Sequence, residues 1–396
     1  MKQTLLTALL AAGLYITSLA QIRVGAERTE AYFPLLSGKR VAAVANQSSL
    51  IDDIHLADSL LGAGIELVRI FSPEHGFRGT ADAGEKVSTS TDLQTGIEIV
   101  SLYGSNFKPS AEKLKDIDIV IFDLQDVGVR FYTYFATMHY VMEACAQSGT
   151  TLIILDRPNP NGCNIDGPVL EPAYKSFVGM HPVPILHAMT AAEYAQMING
   201  EGWLADGIQC NLHWVLCSGY SRSDDYQLPV RPSPNLPNAR SIQWYATLGL
   251  FEGTVMSMGR GTDFPFQVAG HPLYPVTGFS FVPESRPGAS KNPPYNGQLC
   301  NGIDLRTDTL FAPRSGIQLA LLLSVYQHFP QKEKFFNSFI LKLSGTSSLR
   351  DAIRNGMSEE AIRAQWKPSL ATFQKVRSRY LLYSDSPDIL ELFPAE

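Results

Sequence analysis

The sequence predicts an α/β protein: a doubly wound parallel sheet in the first half of the chain, followed by a second, smaller domain. Three observations carry this. Short, almost continuously apolar runs recur up to Val215, separated by helical stretches; such strands are buried on both faces, as in a parallel sheet covered by helices. Polar residues, namely Asn46, Glu74, Asp126 and Asp156, stand just after four of these runs, and in a parallel sheet those ends share one edge, where ligands bind. The alternation stops in a Ser-, Pro-, Asn- and Asp-rich stretch at 218–238, whose Pro232-Ser233-Pro234-Asn235-Leu236-Pro237 segment is too proline-dense for an element interior.

In order, the chain opens with Lys2, a mostly apolar run from Leu5 to Leu19, and the small residues Ser18-Leu19-Ala20 before Gln21. That is the pattern of a cleaved signal peptide, 1–20, and the run is short for a membrane span. The mature protein is therefore expected to be exported, periplasmic or secreted, with no membrane contact after cleavage. An amphipathic stretch leads to Ser37. The first strand, Val41 to Ala45, ends at Asn46-Gln47-Ser48, and a helix from Asp53 to Leu61 is stopped by Gly62 and Gly64. The second strand, Leu67 to Phe71, runs into Glu74, and a polar loop carrying Glu85 continues to Gly96. The third strand is Ile97 to Leu102, and a short helix runs from Pro109 through Leu114. The fourth strand, Asp118 to Phe122, ends at Asp123-Leu124-Gln125-Asp126. A long helix, Tyr132 to Gln147, stops at Gly149, and the fifth strand, Thr151 to Leu155, ends at Asp156-Arg157-Pro158-Asn159. A helix at Ala191–Asn199 and a strand at Gln209–Val215 complete a first domain, 21–225. The second, 226–396, has a strand at Gly278–Val282, an amphipathic helix at Gly316–His328 and a helical stretch of mixed charge at Ser358–Tyr380.

Composition excludes several classes. With 396 residues, 45% hydrophobic and 18% charged, the chain is globular; a net charge of -6 without a basic run argues against nucleic acid as a partner. The turn after the first strand, Ala45-Asn46-Gln47-Ser48-Ser49, has no glycine, so a dinucleotide is disfavoured. G-x-S-x-G, a P-loop and H-E-x-x-H are absent, and the spacing of His75, His139, His187 and His271 signals no metal. Neither cofactor nor metal is expected. Of five cysteines none forms CxxC; Cys210 and Cys217 could pair across a turn, and buried, inert thiols suit most of the rest.

What remains at loop positions is a set of carboxylates, amides, aromatics and arginines: Glu74, Glu85, Asp126, Arg130, Tyr132, Tyr134, Arg157, Asn159, Asn161, Asn235 and Arg260. This set suits a neutral or anionic sugar. Cleaving a glycoside requires a proton donor at the leaving oxygen and a second group that activates water or attacks. Glu74, beyond a proline at the end of an apolar strand and beside Phe77, is the best donor; Asp126 and Glu85 are candidates for the second group. Arg130, Arg157 or Arg260 could fork onto a substrate carboxylate, and each could equally serve a structural ion pair. Asp and Asn at strand ends are also ordinary turn and cap residues.

A longer pattern runs through these motifs. Ser72-Pro73-Glu74-His75-Gly76-Phe77-Arg78-Gly79 is joined by Ser-Leu-Tyr-Gly at 101–104 and Asp-Leu-Gln-Asp-Val-Gly-Val-Arg-Phe-Tyr-Thr-Tyr at 123–134. Leu-Asp-Arg-Pro-Asn-Pro (155–160), Asp-Gly-Pro-Val-Leu (166–170), Pro-Ser-Pro-Asn-Leu-Pro (232–237) and Gly-Arg-Gly-Thr (259–262) follow in order. Together they resemble the NamZ-type exo-β-N-acetylmuramidases, over nearly the whole mature chain. The resemblance implies a Rossmann-like N-terminal domain without a nucleotide, a smaller α+β C-terminal domain, and a cleft between them. It implies an exported hydrolase that releases N-acetylmuramic acid from the non-reducing ends of peptidoglycan fragments, with Glu74 as the catalytic glutamate. On this reading Asn46, His75, Arg78, Tyr132, Asn159, His187, Asn235 and Arg260 orient or bind the saccharide, and Arg130 or Arg157 holds the lactyl carboxylate. A non-catalytic muramyl-sugar or muropeptide binding protein is the alternative. The chain departs from the family at Ser72, where glycine is usual, at Ala188 in His187-Ala188-Met189-Thr190, and at Val255 after Glu252-Gly253-Thr254.

Overall fold

A computed structural model of the protein describes residues 22–77, 90–104, 106–307 and 316–384. The leader at 1–20, Arg78 and Glu85 lie outside the described residues.

Seven strands form the central sheet: β1 (Arg40–Ala45), β2 (Glu66–Ser72), β3 (Ser90–Thr91), β4 (Glu98–Ser101), β5 (Ile119–Asp123), β6 (Thr151–Leu155) and β7 (Leu212–Val215). Their order is β7-β6-β5-β1-β2-β4-β3. Every neighbouring pair is parallel except β3 and β4. The expected all-parallel sheet is thus mixed at one edge. The extra strand is two exposed polar residues in the loop after β2, too short and too polar for an apolar run to reveal.

β1 lies at the centre, and Val41 to Ala45 are fully buried. Alternation sends Val44 to one core with Phe71, Phe122 and Ile154, and Val41 to the other with Ile70, Ile121 and Ile153. Two covered faces explain why these strands read as unbroken apolar runs. The helix Tyr134–Ser148 packs in the first core and ends on Gly149, whose left-handed φ of 72° lets its N–H close on the Cys145 carbonyl. At the switch point between β1 and β5 the crevice is filled by the chain itself. Ser48 donates to Asn46, Ser49 to the Asp123 carbonyl, and the Gln125 N–H to Ser48.

The smaller C-terminal domain has a three-stranded antiparallel sheet in which Cys300–Asp304 lies between Val268–His271 and Ser280–Phe281. Its helices include Ala239–Leu248, Leu319–His328 and Glu359–Arg377. The last one returns to the first domain. Arg363 grips both oxygens of Asp166 at 3.0 Å, Arg377 donates to the Ala188 carbonyl at 2.6 Å, and the Tyr383 hydroxyl beyond it reaches Asp156 at 2.7 Å. All five cysteines are free and four are buried. Cys210 and Cys217 do not pair, because they stand at opposite ends of extended β7 rather than across a turn.

Candidate active site

β2 carries the chain to the sheet's carboxyl edge, and Pro73 stops it. A turn follows in which the Gly76 N–H donates to the Pro73 carbonyl at 3.1 Å. His75 and Gly76 are both left-handed, with φ of 71° and 76°. For histidine that conformation is costly, and such strain gathers at functional sites. The turn sets Glu74 and His75 in the wall of a cleft, while Phe77 is buried with its ring 4.7 Å from His55.

The Thr133 hydroxyl holds Glu74, donating to its Oε2 at 2.8 Å. Tyr103, beyond the end of β4, shares the cleft lining with Glu74, and burial and then the Glu74 charge push its phenol well above its ordinary range. Tyr132 and Tyr134, on either side of Thr133, both donate to the Pro232 carbonyl, at 2.9 and 3.2 Å. These bonds fasten the proline-dense junction to the first domain, and Asn46 supports Tyr134 from behind at 2.8 Å.

The opposite wall comes from the second half of the chain: Asn235, Tyr245, Glu252, Arg260 and Phe266. Arg260 donates through Nε and Nη2 to one oxygen of Glu252, at 3.0 and 2.7 Å, and lies 4.9 Å from the Phe266 ring centre. Burial works against the Arg260 charge, but Glu252 more than offsets it, with Tyr245 and Glu74 adding to the effect. Asn235 donates to the Ala289 carbonyl at 2.7 Å. The cleft offers about 240 Å³ of water-accessible space, between largely aromatic walls that carry a few placed polar groups.

Of the residues singled out in the sequence, Glu74, His75, Tyr132, Tyr134, Asn235 and Arg260 come together here. Others are committed to the fold. Arg157 forks onto Asp123 at 2.6 and 2.9 Å, both side chains buried. Arg130 spends its guanidinium on the carbonyls of Pro168, Val183 and Leu343, at 2.7–2.8 Å; with no carboxylate beside it, burial draws it down to about 9. Neither lines the cleft. Asn159 closes its own turn, accepting from the Asn161 N–H and donating to the Met189 carbonyl. His187 is buried and driven down to about 3 by burial. Asp126 is buried and is not in the cleft lining. Its Oδ1 accepts from the Gly128 N–H at 2.7 Å, its Oδ2 has no hydrogen-bond partner among the described residues, and burial lifts the carboxyl to about 7. Tyr103, Thr133, Phe177, Tyr245, Glu252 and Phe266 join the cleft without having been named as site residues. Tyr103, Thr133 and Glu252 carried a sequence signal, the first two inside the Ser-Leu-Tyr-Gly and Phe-Tyr-Thr-Tyr motifs and Glu252 in the run Glu252-Gly253-Thr254.

An acid bonded by the Thr133 hydroxyl, in an aromatic-walled cleft that also holds an Arg–Glu pair on an α/β frame, is an arrangement that suits a glycoside hydrolase. Family models described as exo-beta-N-acetylmuramidase NamZ match both parts, the N-terminal model over residues 41–240 and the C-terminal model over 243–383, and the chain belongs to that family. It is 39% identical to the peptidoglycan beta-N-acetylmuramidase NamZ of Bacillus subtilis (strain 168) over 373 residues, 89% of each protein. Two solved structures of DUF1343 family proteins from Bacteroides fragilis NCTC 9343 share the fold. One has a TM-score of 0.86 and 43% identity, covering 93% of this chain and all of that one. The other has a TM-score of 0.80 and 30% identity, covering 92% and 99%. Among the described residues no helix is long and apolar enough to cross a membrane, and no group of three His, Cys, Asp or Glu could hold a metal.

Proposed function

We propose that this protein is an exo-acting β-N-acetylmuramidase that releases N-acetylmuramic acid from the non-reducing ends of peptidoglycan fragments during cell-wall turnover, with Glu74 as general acid. The observation that carries the reading is Glu74 itself, in the cleft wall, bonded by Thr133 and sharing that lining with Tyr103. Its proton goes to the glycosidic oxygen as the bond to the anomeric carbon breaks, so the leaving sugar departs as a neutral alcohol. Water then completes the exchange at the anomeric carbon. Glu252 is the second carboxylate among the described lining residues, suited to steady the positive charge at that carbon or to draw a proton from the water.

N-Acetylmuramic acid differs from N-acetylglucosamine by a lactyl carboxylate. Arg260 takes the role of holding it, since it is the one Arg or Lys among the described lining residues, whereas Arg130 and Arg157 are spent elsewhere. Residues 21–225 act as the catalytic domain and 226–396 close the cleft, a division supported by the lining residues each contributes. Export to the periplasm or medium follows from the leader pattern at 1–20 and from a substrate that lies outside the cytoplasm.

The test is product analysis on a defined muramic acid–glucosamine disaccharide. Glu74→Gln is expected to lower turnover by about 10³-fold or more at an unchanged melting temperature. An active Gln variant overturns the assignment, and tight saccharide binding by the wild type with no sugar released would mark a binding protein instead.

A further inference from the structure

The residues beside the acid say where the departing sugar goes. Tyr103, which shares the cleft lining with Glu74, lies 5.9 Å from Phe177, ring centre to ring centre. Phe177 lies 4.3 Å from Phe107 and nearly parallel to Tyr140, at 6.4 Å and 17°. All four rings are half-buried, and none belongs to either main core cluster. Tyr103 and Phe177 line the cleft, whereas Phe107 and Tyr140 do not and instead brace Phe177. A surface aromatic cluster detached from the core and continuous with a cleft has the character of a binding surface.

We propose that Tyr103 and Phe177 form the stacking platform for the leaving sugar, a neutral amino sugar of the N-acetylglucosamine type. The proposal rests on Glu74 being the general acid. A general acid must touch the oxygen that joins the two sugars, so the ring that leaves is held by whatever wall adjoins the acid. Here that wall is aromatic. A pyranose whose substituents are equatorial presents flat C–H faces, which an aromatic ring covers without needing a particular hydroxyl pattern. The platform is also rigid. Phe177 sits in a turn closed by two backbone bonds between Ser176 and Gly179, at 2.9 and 3.0 Å, and the segment bearing it is held on both sides, at Pro168 and Val183, by Arg130.

The test compares two substrates that share the muramyl group: the muramic acid–glucosamine disaccharide and β-N-acetylmuramyl fluoride, whose leaving group is too small to stack and needs no proton. Phe177→Ala is expected to lower the ratio of disaccharide to fluoride kcat/KM by roughly 10- to 100-fold, chiefly through KM for the disaccharide. Phe177→Tyr should restore the ratio. Phe177→Leu, which keeps apolar bulk without a ring face, should lower it as alanine does and serves if the alanine variant does not fold. An unchanged ratio in folded variants overturns the platform. A wild type active on neither substrate removes the muramidase reading itself, which separates the two failures.

Discussion

Thr133 gives its hydroxyl to Oε2 of Glu74 across 2.8 Å while standing at the N-cap of the helix Tyr134–Ser148. A threonine there ordinarily satisfies one of the first helical N–H groups, for about 1 kcal/mol. In this helix the side chain makes no such cap. The hydroxyl orients the acid instead, tying the loop after β2 to the start of a helix three strands further along the chain.

Thr133→Val removes that bond and keeps the shape. It should lower kcat on the disaccharide by about 10-fold, with a smaller change in KM, and Thr133→Ser should recover the rate. Steady-state kinetics on both variants decide it; a valine variant at full kcat would remove the hydroxyl from the account.

Two arginines expected to serve one role should now separate. Arg260→Met should reduce the preference for a chromogenic muraminide over the matching glucosaminide by about 100-fold. Arg157→Met strands the buried Asp123 carboxylate and should cost about 3–5 kcal/mol in urea unfolding, with the preference retained. A lost preference in the Arg157 variant would return that residue to the site.

Asp126 makes stability depend on pH. Burial lifts its carboxyl from an ordinary 3.8 to about 7. Between those values the folded chain keeps a proton that the unfolded chain releases, so this group's contribution to stability falls as pH rises from about 4 to 7. Asp126→Asn should therefore gain on the wild type as the pH is raised from 4 to 8, by on the order of several °C in Tm. A pH-independent difference in Tm would contradict the buried, proton-bearing acid.

Ala188 sits at a left-handed φ of 52°, with its carbonyl taken by Arg222 at 3.0 Å and Arg377 at 2.6 Å. The arginines hold a conformation that alanine disfavours by about 1–2 kcal/mol. Ala188→Gly should relieve that strain, offset in part by glycine's freedom in the unfolded chain, for a net gain of about 0.5–1 kcal/mol. Chemical denaturation reads it directly, and a loss of stability would rule out strain at this position.

The parts of the fold that were legible in the sequence share one property. Strands buried on both faces are spelled by local apolar runs, and β6 runs from Thr151 to Leu155 as expected. The place of Glu74 in the cleft wall was legible because a proline ends the apolar strand just before it. The roles of the arginines were not legible, because their partners are remote. Arg157 meets Asp123 from 34 positions away, and Arg130 meets the Leu343 carbonyl from 213. Nothing near either residue says whether it will face carbonyls, a carboxylate or a ligand. Phe177 was hidden for the same reason, since it belongs to the cleft only once distant segments have met.

Arg130 clasps Pro168 and Val183 with one hand and Leu343 with the other, Arg363 grips Asp166, and Arg377 grips Ala188. The halves of the molecule are buttoned together at separated points. Parting them would break these charge-assisted bonds together, a cost that works against the hinge opening that paces lid-closing enzymes.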